Sequence, residues 1–172
     1  PLAIYLPAAA NTAVGAITMR QLLSSTSGLV DGDGVPCTTD PAVTWVGSAR
    51  QVAAIRLVHP PGEVFRYGGQ HLYVAAAIAE VVTGVPYADL FRQRIGEPLG
   101  MDNTYFLQVG GDSYTDVTNT APAGGADSSL GDCGRLLEMI VRGGITPDGT
   151  RALEAATIAQ LQTNQISDGR CG

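Results

Sequence analysis

Tyr67 is the side chain whose type and setting best suit chemistry in this sequence. It follows a Pro-Gly turn at residues 61–62 and precedes Gly68 and Gly69, so flexible backbone flanks an aromatic hydroxyl. A long apolar run begins directly afterwards, which places the tyrosine at the mouth of a buried helix and makes it a candidate for facing a cleft. The alternative is a half-buried tyrosine whose hydroxyl reaches water, which the spacing alone favours.

Ser27 is a candidate nucleophile, because it lies in a turn rich in Ser and Thr at residues 24–29. A serine needs a nearby base before it can attack a carbonyl group. No lysine or tyrosine stands at a matching spacing, and all 10 basic residues of the chain are arginine. A serine followed by Gly28 is typical of a helix end, so we assign Ser27 a structural role.

Two successive helices are predicted to position Tyr67. Residues 70–84 are almost all apolar, which predicts a helix that is buried on all sides and too short to cross a bilayer. Gly84 supplies the left-handed residue that ends such a helix, and Pro86 prevents its continuation. Apolar residues at helical spacing then predict a second helix over residues 86–96.

Four further helices are predicted from capping residues and apolar spacing, and they cover residues 18–26, 48–58, 129–142 and 154–163. The inner face of the third is predicted to comprise Leu130, Cys133, Leu136, Leu137 and Ile140. Residues 102–121 have the composition of a polar loop. The chain is therefore predicted to be mainly α, a single helical domain or fragment over residues 1–172.

The three cysteines, Cys37, Cys133 and Cys171, allow at most one internal disulfide, and their spacing matches no zinc site. Cys133 falls at an apolar helix position and is predicted to be a small buried side chain. A bridge between Cys37 and Cys171 would suit an exported protein, but the sequence leaves the pairing open. Alternating aspartates at residues 31–34 lack the later glutamate of a calcium loop, so no metal site is predicted.

The composition is that of a globular chain, with 45% hydrophobic and 15% charged residues. The net charge of -6 argues against binding to nucleic acid, which needs a basic face. No apolar run is long enough for a membrane span, and no signal peptide is visible. The first residue is Pro1 rather than Met, so we expect a processed chain or a fragment.

The sequence contains a set of short motifs in a characteristic order. One group comprises the Pro-Gly turn leading to Tyr67, then Glu80, Thr83-Gly84, Tyr87, and Glu-Pro-Leu-Gly-Met at residues 97–101. The other motifs are Tyr5-Leu6-Pro7, Ser-Thr-Ser-Gly-Leu at residues 25–29 with Ser25 in place of a histidine, and Pro-Ala-Gly-Gly at residues 122–125. Together they resemble the serine beta-lactamase family, which holds class C beta-lactamases, D-alanyl-D-alanine carboxypeptidases and related esterases. The likeness covers most of the chain.

The resemblance implies a fold and a reaction. In that family a helical domain packs on an antiparallel sheet, and the active site lies in the crevice between them. This chain then corresponds to the helical domain of the beta-lactamase/transpeptidase-like α+β fold, and the flanking antiparallel sheet is absent from it. The implied reaction is acyl transfer through a serine ester, on a small ester, amide or lactam substrate, with no cofactor and no metal.

The resemblance also implies roles for two residues. Tyr67 matches the tyrosine of the family's Tyr-x-Asn motif, which shuttles protons, so a catalytic role is implied for it. Gly69 stands where the substrate-binding asparagine would be, a departure that puts beta-lactam recognition of the usual kind in doubt. The family's Ser-x-x-Lys is missing, and arginine cannot replace the lysine because its pKa is too high for it to accept a proton. We therefore expect these 172 residues alone to be inactive.

Two functions are consistent with the sequence. The first is part of a serine hydrolase whose nucleophile lies in a missing portion of the same protein, exported to the bacterial periplasm or beyond. The second is a non-catalytic helical binding module, a degenerate relative of the same family. Neither involves nucleic acid or a membrane span.

Overall fold

The structure, a computed structural model, describes residues 1–29, 56–107 and 120–166. Its helices begin with three 3-10 turns and continue with α-helices and one π turn: Leu2–Ile4, Pro7–Ala9, Val14–Ala16, Met19–Leu23, Gln70–Thr83, Tyr87–Phe91, Arg92–Gly96, Glu97–Leu99, Leu130–Val141 and Ala155–Leu161. The predicted helix over residues 48–58 lies largely outside the described residues, and its last three positions are not helical.

The helix Gln70–Thr83, called the central helix below, forms where the apolar run predicts a helix. Val74 and Ile78 are 1% and 2% exposed, so the helix is held by burial of its apolar side chains. The prediction of burial on all sides is wrong in the last turn, where Val82 is 60% exposed. Gly84 ends the helix with φ 69°, a left-handed conformation that glycine adopts without strain.

The N-terminal segment supplies much of the core around the central helix. Its 3-10 turns are closed by a hydrogen bond from the Leu2 N–H to the Ile17 carbonyl at 2.7 Å. The helix Met19–Leu23 follows and packs against the central helix. Its predicted capping box is confirmed, because Thr18 and Gln21 exchange side-chain and backbone hydrogen bonds. The shared hydrophobic cluster comprises Leu2, Leu6, Ala9, Val14, Ile17, Leu22, Leu29, Val74, Ala77 and Ile78.

Glu80 connects the end of the central helix to the next helix. Its side chain is buried, at 7% exposed, and its Oε1 accepts a hydrogen bond from the Tyr87 N–H at 2.8 Å. Tyr87 is the first residue of the helix Tyr87–Phe91. An acidic group at a helix N-terminus accepts a hydrogen bond from a backbone N–H that has no partner within the helix, and its negative charge interacts favourably with the helix dipole. Glu80 therefore fixes the turn between the two helices.

The helix Leu130–Val141 belongs to a second hydrophobic cluster, and its predicted inner face is wrong at three positions. Leu130 is 90% exposed, Leu137 is 61% exposed, and Cys133 is an exposed free thiol. The side covered by neighbouring residues instead carries Met139, which is fully buried, with Leu136 and Ile140 packed partly against the cluster. Spacing reveals an apolar stripe but does not tell which side the neighbours cover. Cys37 and Cys171 lie outside the described residues.

A small antiparallel sheet interrupts the region predicted to be a polar loop. Thr104–Phe106 pairs with Ala126–Ser128, with Thr104 opposite Ser128. Phe106 is 8% exposed, and its ring makes edge contacts with the rings of Tyr87 and Phe91, at centroid distances of 5.4 and 5.1 Å. These ring contacts hold the strand to the helices. Burial of Tyr87 itself raises the pKa of its phenol. The predicted fold class, a mainly α helical domain from which the flanking antiparallel sheet is absent, is thus confirmed only in part.

Asp132 joins this sheet to the helix Leu130–Val141. Its carboxylate is fully buried and accepts hydrogen bonds from the Asn103 N–H and from Thr104 Oγ1, both at 2.8 Å, and from Arg135 at 2.9 Å. Burial by itself raises the pKa of this carboxyl group. The hydrogen bonds from Thr104, Asn103 and Ser129, and the nearby Arg135 charge, outweigh that effect and hold the pKa of Asp132 below its ordinary value.

Among the residues that the structure describes, no single helix has the length and apolar character to cross a membrane. One pair of successive helices, Gln70–Thr83 and Tyr87–Leu99, is together long and apolar enough to do so by length and composition alone. The two helices of this pair are bent by 78° relative to each other.

Ile78→Ala should destabilise the protein by roughly 2–5 kcal/mol, because it leaves a cavity in the cluster around the central helix. Denaturant unfolding followed by circular dichroism measures this loss. Val82→Ala is the matched control on the same helix, and since Val82 is 60% exposed, we expect a change within about 0.5 kcal/mol. A loss at Ile78 as small as that of the control would show that the helix is peripheral.

Asp132→Asn should lower stability at pH 7 and make stability less sensitive to acid. The folded pKa of Asp132 lies below the unfolded value of about 3.9, so its carboxylate stabilises the fold above that value. That contribution is lost as the pH falls through the folded pKa, and the variant lacks it throughout. Unfolding midpoints at pH 7, 5 and 3 measure the effect, with Asp127→Asn on an exposed strand position as the control. Parallel pH profiles for Asp132→Asn and the wild type would refute this account.

Candidate active site

Tyr67 lies in the connection that enters the central helix, three residues before Gln70. Its side chain is 77% exposed, although it lies beside a helix that is covered along most of its length. The phenol makes no hydrogen bond within the described part of the chain. The phenolic hydroxyl is therefore accessible to a molecule that binds beside it.

The backbone that carries Tyr67 is tied to the turn at residues 24–29. The Arg66 N–H donates to the Ser25 carbonyl at 2.9 Å, and the Gly62 N–H donates to the Thr26 carbonyl at 2.7 Å. Ser25 itself has φ 55°, a left-handed conformation uncommon for a residue with a side chain. These bonds hold residues 62–66, the segment that precedes Tyr67, against the turn that follows the helix Met19–Leu23.

Gly28 allows the same turn to pack closely on the following segment. It has φ 82°, and a Cβ atom placed on it would lie 2.2 Å from the His59 carbonyl oxygen. The Val58 N–H donates to the Gly28 carbonyl at 3.0 Å, so the two backbone segments are in direct contact. A side chain at this position would push them apart.

Ser27 and His71 form a buried pair that is linked to the backbone at Arg66, the residue before Tyr67. The Ser27 Oγ lies 2.7 Å from the His71 Nδ1, and the two residues are 0% and 1% exposed. A serine beside a histidine has the composition of a nucleophile and its base, but burial of both side chains excludes attack on a substrate carbonyl. The structural role predicted for Ser27 therefore fits the geometry.

The Ser27–His71 pair is the feature that the sequence reasoning missed. His71 stands in an apolar helix, where a polar ring is costly to bury unless it is hydrogen-bonded. That cost signals a polar partner elsewhere in the chain. Periodicity does not identify it, because 44 residues separate Ser27 from His71.

Gly69 is the residue immediately before the central helix and has helical backbone angles, φ -69° and ψ -31°. Its carbonyl accepts hydrogen bonds from the Leu72 and Tyr73 N–H groups at 2.9 and 3.1 Å. The structure thus places Gly69 two residues from Tyr67, where the helix begins. These angles are ordinary for any residue, so the position does not require glycine for its backbone conformation.

The described residues contain no group of three or more His, Cys, Asp or Glu side chains arranged to hold a metal ion. The candidate site consists of the exposed phenol of Tyr67 on a backbone fixed by hydrogen bonds. This arrangement can exchange a proton with a bound group.

Comparison with known proteins identifies the class. The model of the Beta-lactamase family matches residues 1–170, and the chain belongs to that family. The crystal structure of a candidate beta-lactamase from Bacteroides dorei DSM 17855 is 30% identical and superposes with a TM-score of 0.80 over 100% of this chain. The resemblance to serine beta-lactamases seen in the sequence motifs is thereby confirmed.

Two curated proteins are also similar. Penicillin-binding protein 4 of Amycolatopsis lactamdurans is 29% identical over 85% of this chain and 44% of its own length. The Unguisins hydrolase ungD' of Aspergillus campestris (strain IBT 28561) is 32% identical over 52% of this chain and 17% of its own length. This chain spans half of the Bacteroides dorei protein, and less than half of either curated relative.

Proposed function

We propose that this chain is part of a serine hydrolase that acts by acyl transfer, with its serine nucleophile and lysine outside these 172 residues. The observation that carries the proposal is the exposed phenol of Tyr67, held on a fixed backbone at the N-terminus of the central helix. The half-length match to family members supports placing the other catalytic groups outside this chain.

Tyr67 is proposed to shuttle the proton between the serine hydroxyl and the leaving group. A phenol suits this step because it both donates and accepts a hydrogen bond. The serine attacks the carbonyl carbon of the substrate, and its proton passes through Tyr67 to the departing alcohol or amine. Water then hydrolyses the acyl-enzyme by the same path in reverse.

The substrate is proposed to be a small ester, amide or lactam. Gly69 would line its binding position without the amide that an asparagine supplies there. Loss of that amide removes a hydrogen bond to a substrate amide group, so esters are favoured over lactams of the usual kind. Export to the periplasm or the exterior is part of the same proposal and rests on the penicillin-binding relative.

The alternative is a non-catalytic helical module that binds a partner. An intact mass and N-terminal sequence of the native protein distinguish the two. A mass near twice that of these 172 residues, with lysines present, favours the hydrolase, since the Bacteroides dorei protein is twice as long. A chromogenic cephalosporin and short-chain nitrophenyl esters, tested side by side, then separate lactam from ester substrates.

Tyr67→Phe in the full-length protein should lower kcat/KM by at least about a hundredfold, because a positioned proton-transfer group contributes roughly 10²–10⁴-fold to the rate. The ring remains, so the melting temperature should barely change. Steady-state kinetics on the nitrophenyl esters and thermal unfolding measure the two quantities.

Tyr5→Phe is the matched control, since Tyr5 is also exposed, at 41%, and lies on the N-terminal segment. Gly69→Asn is the companion variant, and any gain should appear with amide or lactam substrates. Near-full activity of Tyr67→Phe on every substrate would remove Tyr67 from the mechanism.

A further inference from the structure

The imidazole of His71 connects the turn at residues 24–29 to the backbone at Arg66, which directly precedes Tyr67. Its Nδ1 lies 2.7 Å from the Ser27 Oγ, and its Nε2 lies 2.9 Å from the Arg66 carbonyl oxygen. Both ring nitrogens are therefore within hydrogen-bond distance of an atom outside the helix that carries the ring. The ring is 1% exposed, so water does not compete for these contacts.

The chemistry of the partners fixes which atom donates each proton. A backbone carbonyl can only accept, so the His71 Nε2 carries the hydrogen and donates to Arg66. In the neutral ring Nδ1 is then an acceptor, and the Ser27 hydroxyl donates to it. The Leu29 N–H donates to the Ser27 oxygen at 3.2 Å, which completes the chain of bonds.

Arg66 is held through both of its backbone polar groups. Its N–H donates to the Ser25 carbonyl at 2.9 Å, and its carbonyl accepts from His71 at 2.9 Å. Tyr67 follows directly, and because its side chain is 77% exposed, packing of the phenol contributes little to its placement. The position of the phenol is therefore set by the backbone, and the hydrogen bond from His71 holds the Arg66 carbonyl, which belongs to the peptide unit that leads into Tyr67.

We propose that His71 is a positioning residue for Tyr67, acting through the buried chain from the Ser27 hydroxyl through the imidazole to the Arg66 carbonyl. This rests on the proposed function, in which Tyr67 transfers the proton. The imidazole does not touch the substrate. It holds the Arg66 carbonyl, which orients the peptide that leads into Tyr67, and the hydroxyl of Ser27 holds the ring in the required tautomer.

Two substitutions in the full-length protein distinguish the hydrogen bond at the His71 Nε2 from the hydrogen bond at its Nδ1. In His71→Gln the longer side chain places an amide N–H where Nε2 lies, so the bond to Arg66 is kept. In His71→Asn the shorter amide reaches the place of Nδ1, so the bond to Ser27 is kept and the bond to Arg66 is lost. We expect kcat to fall by about tenfold to a hundredfold in the Asn variant, with KM little changed, and to be largely retained in the Gln variant.

Ser27→Ala tests the hydrogen bond at the other ring nitrogen of His71. It keeps the proposal testable if the His71 variants fail to fold. It removes the donor to Nδ1, so kcat should fall while KM holds. Ser24→Ala is the matched control, because it removes a hydroxyl from the same turn, bonded to Thr26 at 2.9 Å, without touching His71. Equal losses of kcat in His71→Gln and His71→Asn, or equal effects of Ser27→Ala and Ser24→Ala, would overturn the proposal.

A double-mutant cycle separates positioning from general stability. If His71 acts through Tyr67, then His71→Asn should have little effect on kcat in the Tyr67→Phe background, whereas a purely structural loss adds in full. Amide hydrogen exchange at Tyr67 and Gly68 supplies a readout without catalysis, and it should speed up in His71→Asn but not in Ser24→Ala. Unchanged exchange overturns the positioning role even if Tyr67 is catalytic. Full activity of Tyr67→Phe overturns the proposed function instead.

Discussion

The structure depends on the cost of burying polar groups inside the central helix. That helix is covered along most of its length, yet it carries His71 in its first turn and Glu80 near its end. A buried polar side chain without a partner is strongly destabilising, so each of these must find one outside the helix. His71 takes the Ser27 hydroxyl and the Arg66 carbonyl, and Glu80 takes the Tyr87 N–H. The helix thereby fixes both the segment that enters it and the segment that leaves it.

The same constraint operates in the second half of the chain through Asp132. Its buried carboxylate gathers hydrogen bonds from the strand residues Asn103 and Thr104 and from Arg135 on its own helix. Buried carboxylates, imidazoles and hydroxyls thus determine where the connections run, while the apolar clusters supply the free energy that holds them. The backbone that leads into the exposed phenol of Tyr67 is held by such contacts, because both the N–H and the carbonyl of Arg66 are hydrogen-bonded.

Sequence reasoning succeeds where a local pattern has one physical solution. The apolar run at residues 70–84, ended by Gly84, can form little other than a buried helix, and Thr18 with Gln21 forms the predicted cap. It fails where the outcome depends on a distant neighbour. Leu130 and Cys133 lie on an apolar stripe, and yet they are exposed because the packed side of that helix carries Met139. Residues 104–106 form a strand because Ala126–Ser128 pairs with them.

The sequence by itself determined the family, the central helix and the position of Tyr67 relative to it, because these follow from motifs and periodicities within short stretches. It also determined that no lysine is present to activate a serine. Only the tertiary structure decided that Tyr67 is exposed while Ser27 and His71 are buried and paired. The physical reason is that 44 residues separate the two partners, and no local pattern encodes which polar groups meet when the chain folds.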